Sequence, residues 1–288
     1  QRQMCIRDRY IFTKMRENMI TPKNILVTMM LLIISKLSAY DIKRIEPPFW
    51  WAGFNNKKLQ LMVYGKDISK LTPKINYKGI QINKVHQVDS PNYLFIDLLL
   101  KKDKPKKFTI KFNEAKKTVL ERDYEIFKRQ KVDEERETLN SSDVIYLITP
   151  DRYANGDKNN DEVSYLLEGS DRSNKDGRHG GDIQGIINNL DYIENMGFTQ
   201  IWLNPVLENN QADYSYHGYS TTDYYKIDPR FGSNELYKDL SKEAKSRNIG
   251  LIKDLVLNNI GSGHWWMDDL PTDDWLNYQV NYTQTNHI

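Results

Sequence analysis

Residues 216–259 read YHGYSTTDYYKIDPRFGSNELYKDLSKEAKSRNIGLIKDLVLNN. An aromatic, glycine-punctuated loop comes first, then a helical passage, then a mostly apolar run that ends in Asn258 and Asn259. Ser233 stands where a helix cap belongs, and Leu236, Leu240 and Ala244 follow at four-residue steps. A loop, an amphipathic helix and a buried strand with polar residues at its carboxyl end form one unit of a parallel α/β barrel. Such a barrel presents its small-molecule site at those strand ends.

The same rhythm runs upstream. DVIYLITP (143–150) is a compact apolar strand stopped by proline. DIQGIINNLDYIENMG (182–197) puts Ile183, Ile186, Ile187, Leu190, Ile193 and Met196 on one helical face, with Gly197 as its stop. FTQIWLNPV (198–206) reads as the second strand and GLIKDLVL (250–257) as the third. Alternating strand and helix imply a parallel sheet with right-handed crossovers. Two long insertions break the alternation, residues 151–181 and the YHGY stretch. Both leave strand carboxyl ends, where long loops are more often functional than structureless.

Residues 40–122 read differently. Short β-type runs, LQLMVYG (59–65), KINYKGIQIN (74–83), YLFIDLLL (93–100) and KKFTIKF (106–112), are broken at Gly65, Gly79 and Pro91. This spacing suggests an all-β, immunoglobulin-like sandwich. Trp50 and Trp51 either plug that sandwich or offer flat faces to a sugar. Residues 101–117 hold eight lysines against two acids, which reads as a solvated edge that discourages strand pairing. Residues 123–142 are highly charged and read as a linker.

The chain has 288 residues, 41 basic and 39 acidic, for a net charge of +2, and this balance gives no reason to expect a nucleic-acid partner. Residues 1–9 lack periodicity and read as a non-native lead-in, so Met15 or Met19 is the expected start. Lys23, the apolar run 25–34 and the small residue Ala39 form the pattern of a secretory signal, too short for a stable membrane anchor. Residues 1–39 are thus assigned to lead-in and leader. The single cysteine, Cys5, lies upstream of the leader, which excludes disulfides and thiolate chemistry from the mature chain.

Within the first insertion, NGDKNND carries Asn155, Asp157, Asn160 and Asp161, and Gly156 allows a sharp turn. Four hard oxygen-bearing side chains in seven residues suit calcium. An EF-hand register is a competing reading, with Asp157, Asn159, Asp161 and Glu168 on ligand positions. Glu162 stands where that loop requires glycine. A solvated loop that binds nothing is the third reading.

PDRYANGDKNND, HGGDIQGI, GFTQIWLNPV, YHGYSTTDYYKIDPRFG, IKDLVLNN and GSGHWWMDDLPTDDW occur in this order across most of 143–276. Together they resemble the α-amylase family of glycoside hydrolases, in particular its neopullulanase and cyclomaltodextrinase branch. The resemblance implies a multidomain protein, with a sandwich followed by the first part of a TIM-type barrel (143–260) and the start of an inserted domain (261–288). It implies a retaining α-glycosidase acting on α-1,4-glucosidic bonds in maltooligosaccharides, cyclodextrins or pullulan. A structural Ca²⁺ would be held by Asn155, Asp157, Asn160, Asp161, the Gly180 carbonyl and Asp182. His217, Tyr219, Asp254 and Asn259 would line the substrate, with Asn259 departing from the family's usual histidine. The catalytic carboxylates belong to later strands, so no catalytic residue is assigned within 1–288 and this stretch alone is expected to be inactive. A non-catalytic glucan-binding protein and a transglycosylase are the alternatives. Oligomeric state is not legible.

The leader predicts export to the bacterial periplasm, with a mature amino terminus near residue 40. Amino-terminal sequencing of protein made from the native gene reads this directly. A cytoplasmic product that keeps residues 20–38 contradicts it.

Overall fold

The computed structural model describes residues 40–101, 104–129 and 139–277. The expected leader (1–39), residues 130–138 of the expected linker and residues 278–288 of the expected insertion lie outside the described residues. The chain divides into two compact units, 1–130 and 131–288.

The first unit contains β1 (Arg44–Glu46), β2 (Trp50–Trp51), β3 (Lys58–Tyr64), β4 (Thr72–Ile75), β5 (Ile80–His86), β6 (Tyr93–Leu100), β7 (Lys106–Glu114) and β8 (Lys117–Phe127). Among the described residues these form two four-stranded sheets, ordered β1-β3-β6-β5 and β2-β8-β7-β4. Alternate residues point inward, as a sheet with one buried face requires. Leu59, Leu61 and Val63 of β3, Leu94, Ile96 and Leu98 of β6, and Phe108, Ile110 and Phe112 of β7 join one core. The run 74–83 serves both sheets. Its first half pairs with β7 and its second half with β6, with the change of sheet at residues 76–79.

Two expectations are corrected here. The sandwich does not stop at residue 122, because β8 continues to Phe127 and buries Tyr124 and Ile126. The acids Glu121, Asp123 and Glu125 on its outer face had hidden the inward period. The lysine run is not an edge either. β7 is paired on both sides, and its lysines meet acids of β8 across the sheet. Lys107 lies 3.1 Å from Asp123 and Lys111 lies 2.8 Å from Glu121. Opposite charges on neighbouring strands fix register at a modest gain. Trp50 packs against the sandwich core and pairs with Ile126, while Trp51 is 39% exposed.

The second unit opens with β9 (Ile145–Ile148) and α1 (Pro150–Tyr153), followed by α2 (Ile183–Asn188), α3 (Leu190–Asn195), β10 (Gln200–Leu203), β11 (Leu207–Glu208) and β12 (Asp223–Ile227). It continues with α4 (Asn234–Ser246) and β13 (Gly250–Lys253). β9, β10 and β13 are parallel, with β10 between the others, as the alternation predicts. The strands are shorter than their apolar runs, because the backbone leaves the ladder once the sheet's partners end. Ser233 caps α4 through the Leu236 N–H at 3.1 Å. The helix expected over 182–197 is instead two short ones. They meet at Asn189, whose amide donates to the Gly185 carbonyl at 2.7 Å and interrupts the ladder.

One face of the parallel sheet is dry. Ile148, Ile201 and Leu203 pack against Ile183, Ile186, Ile193, Leu240 and Ala244 of the helices. On the other face Ile145, Leu147 and Trp202 remain exposed among the described residues, Leu147 at 56%. Unlike a sheet of one free polar face, this sheet has apolar residues on both sides, the composition of a strand buried twice.

Candidate functional site

Three loops leave the carboxyl ends of the parallel strands: 149–181 after β9, 204–232 after β10, and the residues following Lys253 of β13. What holds the first two together is charged and buried. Arg178 and Arg230 are each 1% exposed, and Asp151 and Asp228 are equally enclosed. Arg230 grips Asp228 with two parallel bonds, Nε to Oδ1 at 2.9 Å and Nη2 to Oδ2 at 2.7 Å. Its remaining donors reach the carbonyls of Glu168 (2.7 Å) and Asn209 (2.8 Å). Burial alone raises the Asp228 carboxyl's pKa. The Arg230 bonds, the charges of Arg178 and Arg230 and the Asn209 N–H outweigh it and hold the carboxyl below the usual carboxylate range.

Asp151 folds the first loop onto itself. Its carboxylate accepts the His179 N–H at 2.9 Å and the Gly180 N–H at 3.2 Å, with Arg178 3.9 Å away. Arg178 lies over the Phe231 ring, 4.6 Å from its centroid, and donates to the Ser215 hydroxyl at 3.2 Å. None of these charged residues carries a role in the sequence reading. The available signal was Arg230 itself, an arginine set between apolar Ile227 and Phe231 just before a helix cap.

Ser215 begins the turn that presents YHGY. A short 3₁₀ turn covers Ser215–His217, and Gly218 follows at φ 83°. A Cβ on Gly218 would sit 1.9 Å from the Pro205 carbonyl, so backbone conformation and close approach both require glycine there. Tyr219 then ties together all four residues expected at the substrate. Its N–H donates to His217 Nδ1 at 2.9 Å, its hydroxyl donates to Asp254 Oδ2 at 3.1 Å, and its carbonyl accepts from the Asn259 amide at 3.4 Å. Tyr224 fixes the other end of this cluster, donating to the carbonyls of Val256 and Asn259, each at 2.9 Å.

The electrostatics follow from this geometry. With Nδ1 accepting from a backbone N–H, His217 is the neutral tautomer protonated at Nε2. Burial pushes its pKa down, against a smaller upward pull from Glu168. Burial, and then the hydrogen bond to Asp254, pushes the Tyr219 hydroxyl up. At neutral pH the cluster therefore offers an imidazole N–H, a phenol, one carboxylate and an amide. Tyr219 stays 42% exposed. A flat apolar face bordered by directional polar groups is suited to a polyhydroxylated ring. The adjacent tryptophans are engaged with one another. His264 accepts the Trp266 N–H at 3.1 Å, and Trp266 meets Trp275 edge-on at 4.7 Å.

The NGDKNND loop closes around Asp182, which is fully buried. One Asp182 oxygen accepts from Gly156 N (3.1 Å) and Gly185 N (2.6 Å), the other from Asp157 N (2.8 Å) and the Asn160 amide (3.3 Å). Four donors meet that carboxylate, so Asp182 caps α2 and clamps the loop. Glu168, which the EF-hand register would need as a ligand, instead accepts the Ser215 N–H through Oε2 at 2.6 Å.

Among the described residues no three His, Cys, Asp or Glu side chains are grouped to hold a metal. The donors here are mostly amides. The Asn155 and Asn160 carbonyl oxygens are both buried and without a hydrogen-bond partner. The Asn155 amide nitrogen donates to Asp161 at 2.7 Å, and Gly180, at φ 84°, leaves room beside both residues that a Cβ would fill. Two orphaned buried oxygens next to a carboxylate and a glycine cradle fit a hard cation.

Residues 44–130 match the family described as cyclomaltodextrinase, N-terminal, and residues 147–286 match the alpha amylase catalytic domain. The beta/alpha-amylase of Paenibacillus polymyxa is 45% identical over 42% of this chain and 10% of that protein. The cyclomaltodextrinase of Thermoanaerobacter pseudethanolicus is 35% identical over 46% of this chain and 24% of that protein. Neopullulanase 2 of Thermoactinomyces vulgaris is 40% identical over 41% of this chain and 20% of that protein. The chain thus spans about a quarter or less of the length of these relatives. With the amino-terminal domain of one branch joined to the catalytic-domain sequence shared by all, the chain belongs to the α-amylase family of glycoside hydrolases, in its cyclomaltodextrinase and neopullulanase branch.

Proposed function

We propose that this chain supplies the sugar-binding front of an exported, retaining α-glucan hydrolase that acts on α-1,4 bonds in maltooligosaccharides, cyclodextrins or pullulan. The observation that carries the reading is the Tyr219 hub, an exposed ring whose backbone and hydroxyl are bonded to His217, Asp254 and Asn259. In this reading Tyr219 stacks under the sugar ring. His217 donates from Nε2 to a sugar hydroxyl, because its other nitrogen is committed to the backbone. Asp254 orients the Tyr219 phenol and accepts from a second hydroxyl. Asn259 offers only a neutral amide where a histidine could carry charge, so it sets affinity without a pH-dependent component.

Retaining cleavage needs a carboxylate nucleophile and a protonated acid about 5 Å apart. No such pair is assigned here, and the proposal places both on strands that follow β13. The groups described bind the glucan, hold its ring in place and exclude water from one face. They contribute to rate only so far as they bind the distorted ring better than the ground state.

A structural calcium ion is part of the proposal, held by Asn155, Asp157, Asn160, Asp161, the Gly180 carbonyl and Asp182. The ion would neutralise the loop's carboxylates and pin the first loop beside the YHGY turn. A ligand bound only by the folded state raises stability by mass action. Chelation should therefore lower the melting temperature of the second unit, and Asn155→Ala should abolish most of the difference. Identical melting curves with calcium and with chelator contradict the site.

Maltoheptaose titrated into residues 1–288 should bind without release of reducing sugar. Tyr219→Ala should weaken binding about tenfold, equivalent to about 1.4 kcal/mol, with the far-ultraviolet circular dichroism unchanged. Equal affinity in the variant, or hydrolysis abolished by mutating a carboxylate within 1–288, would overturn the assignment.

A further inference from the structure

Between the buried arginines and the sugar-facing hub lies a residue whose three polar groups are all held. Ser215 is fully enclosed. Its N–H donates to Glu168 Oε2 at 2.6 Å, its hydroxyl accepts from Arg178 at 3.2 Å, and its carbonyl accepts from the Asn209 amide at 3.2 Å. The same carbonyl accepts from Gly218 N at 3.3 Å, closing the turn that carries His217. Glu168 comes from the first loop, 47 positions earlier in the chain. It does not float there, since Arg230 holds its backbone carbonyl at 2.7 Å and the neighbouring Leu167 N–H donates to Asn210 at 2.8 Å.

We propose that Glu168 is the positioning residue of the sugar-binding turn, fixing Ser215 and through it the placement of His217 and Tyr219. The inference deepens the function proposed above and rests on it. Glu168 needs no contact with sugar for this. A carboxylate accepting a backbone N–H at 2.6 Å makes a charge-assisted bond, roughly twice as strong as a neutral one. The residue it holds lies two positions before the imidazole and four before the stacking ring.

The turn needs such a pin. Tyr214, immediately before Ser215, has φ 59°, and Gly218 closes the other side at φ 83°. Left-handed residues flanking a short turn persist when surrounding contacts over-determine them. Here those contacts are the bonds that Glu168, Arg178 and Asn209 make to Ser215; Glu168 and Arg178 both join the two long loops, Glu168 at the turn's own backbone N–H. A site whose supporting groups are loose by an ångström loses much of its effect, so a carboxylate one shell removed controls affinity.

The charged and titratable groups around His217 are few. Glu168 comes from the first loop, with Arg152 stacked on Tyr216 at 4.0 Å, and Tyr216 and Tyr219 come from its own loop. Asp254 acts only through Tyr219. Two variants of Glu168 therefore separate its charge from its hydrogen bond. Glu168→Gln keeps an acceptor for Ser215 N but removes the charge. Glu168→Ala removes both.

The experiment is a pH titration of the His217 imidazole by NMR in residues 1–288, assigned with His217→Gln, alongside maltoheptaose titration of each variant. Glu168→Gln should lower the His217 midpoint and keep affinity within about twofold. Glu168→Ala should shift both the His217 and Tyr219 ring resonances and weaken maltoheptaose binding tenfold or more, with a melting temperature close to that of Glu168→Gln. Unchanged ring resonances in Glu168→Ala, or an affinity matching that of Glu168→Gln, would overturn the proposal. If the wild-type chain binds no maltoheptaose, the sugar-binding reading falls, while the ring resonances still decide whether Glu168 places the turn.

Discussion

The bidentate pair of Arg230 and Asp228 sets the terms for the loops of the second unit. Each residue is almost wholly removed from solvent. A guanidinium and a carboxylate taken out of water cost several kcal/mol apiece, and only excellent geometry with every remaining donor satisfied offsets that. The structure meets the condition with backbone. Arg230's spare donors go to the Glu168 and Asn209 carbonyls, and the Asn209 N–H returns to Asp228 at 3.1 Å. Neutralising one ion pair therefore fixes the path of both long loops, because those backbone groups are the loops.

The site inherits its order from that circuit. Asn209 and Glu168 are held by Arg230 and in turn hold Ser215, and Ser215 starts the turn that ends in Tyr219. A cluster that meets its ligand through a ring and three polar groups gains affinity by being rigid beforehand. The parallel strands supply the base, and the buried charges carry its rigidity out into loops that have little secondary structure of their own. Binding residues on loops fixed to a rigid scaffold are the common arrangement in α/β barrels.

The scaffold was legible because hydrophobic period is a local signal. The alternation of strand and helix after residue 143, the Ser233 cap and the runs of β3, β6 and β7 stand as read. The errors have physical causes. β8 was missed past residue 122 because charged residues on its outer face swamp the two inward residues, Tyr124 and Ile126. The lysine run read as an edge because its neutralising acids lie on another strand. Asn189 broke a helix whose apolar face looked continuous, since its own amide competes for the Gly185 carbonyl. His217, Tyr219, Asp254 and Asn259 were named from motif, and the geometry brings the other three to Tyr219, at its backbone N–H, its hydroxyl and its carbonyl. The residues that place them, Glu168, Ser215, Arg178 and Arg230, could not be read. Glu168 meets Ser215 from 47 positions away and Arg178 meets it from 37, Arg230 reaches the Glu168 and Asn209 carbonyls at similarly long range, and a buried ion pair leaves no periodic trace.

The central claim, that the Asp228–Arg230 pair holds this loop system together, has a direct reading in acid. A carboxyl held below its usual range in the folded state contributes stability that is complete above its unfolded pKa of about 3.9. That contribution is lost as pH falls through the folded value. Denaturant unfolding of the second unit should show wild type losing this contribution below about pH 4, while Asp228→Asn lacks that component. At pH 7 the variant should be less stable by about 3–5 kcal/mol, the cost of leaving Arg230 buried without its partner. Parallel acid profiles together with stabilities within about 0.5 kcal/mol at pH 7 would contradict the account.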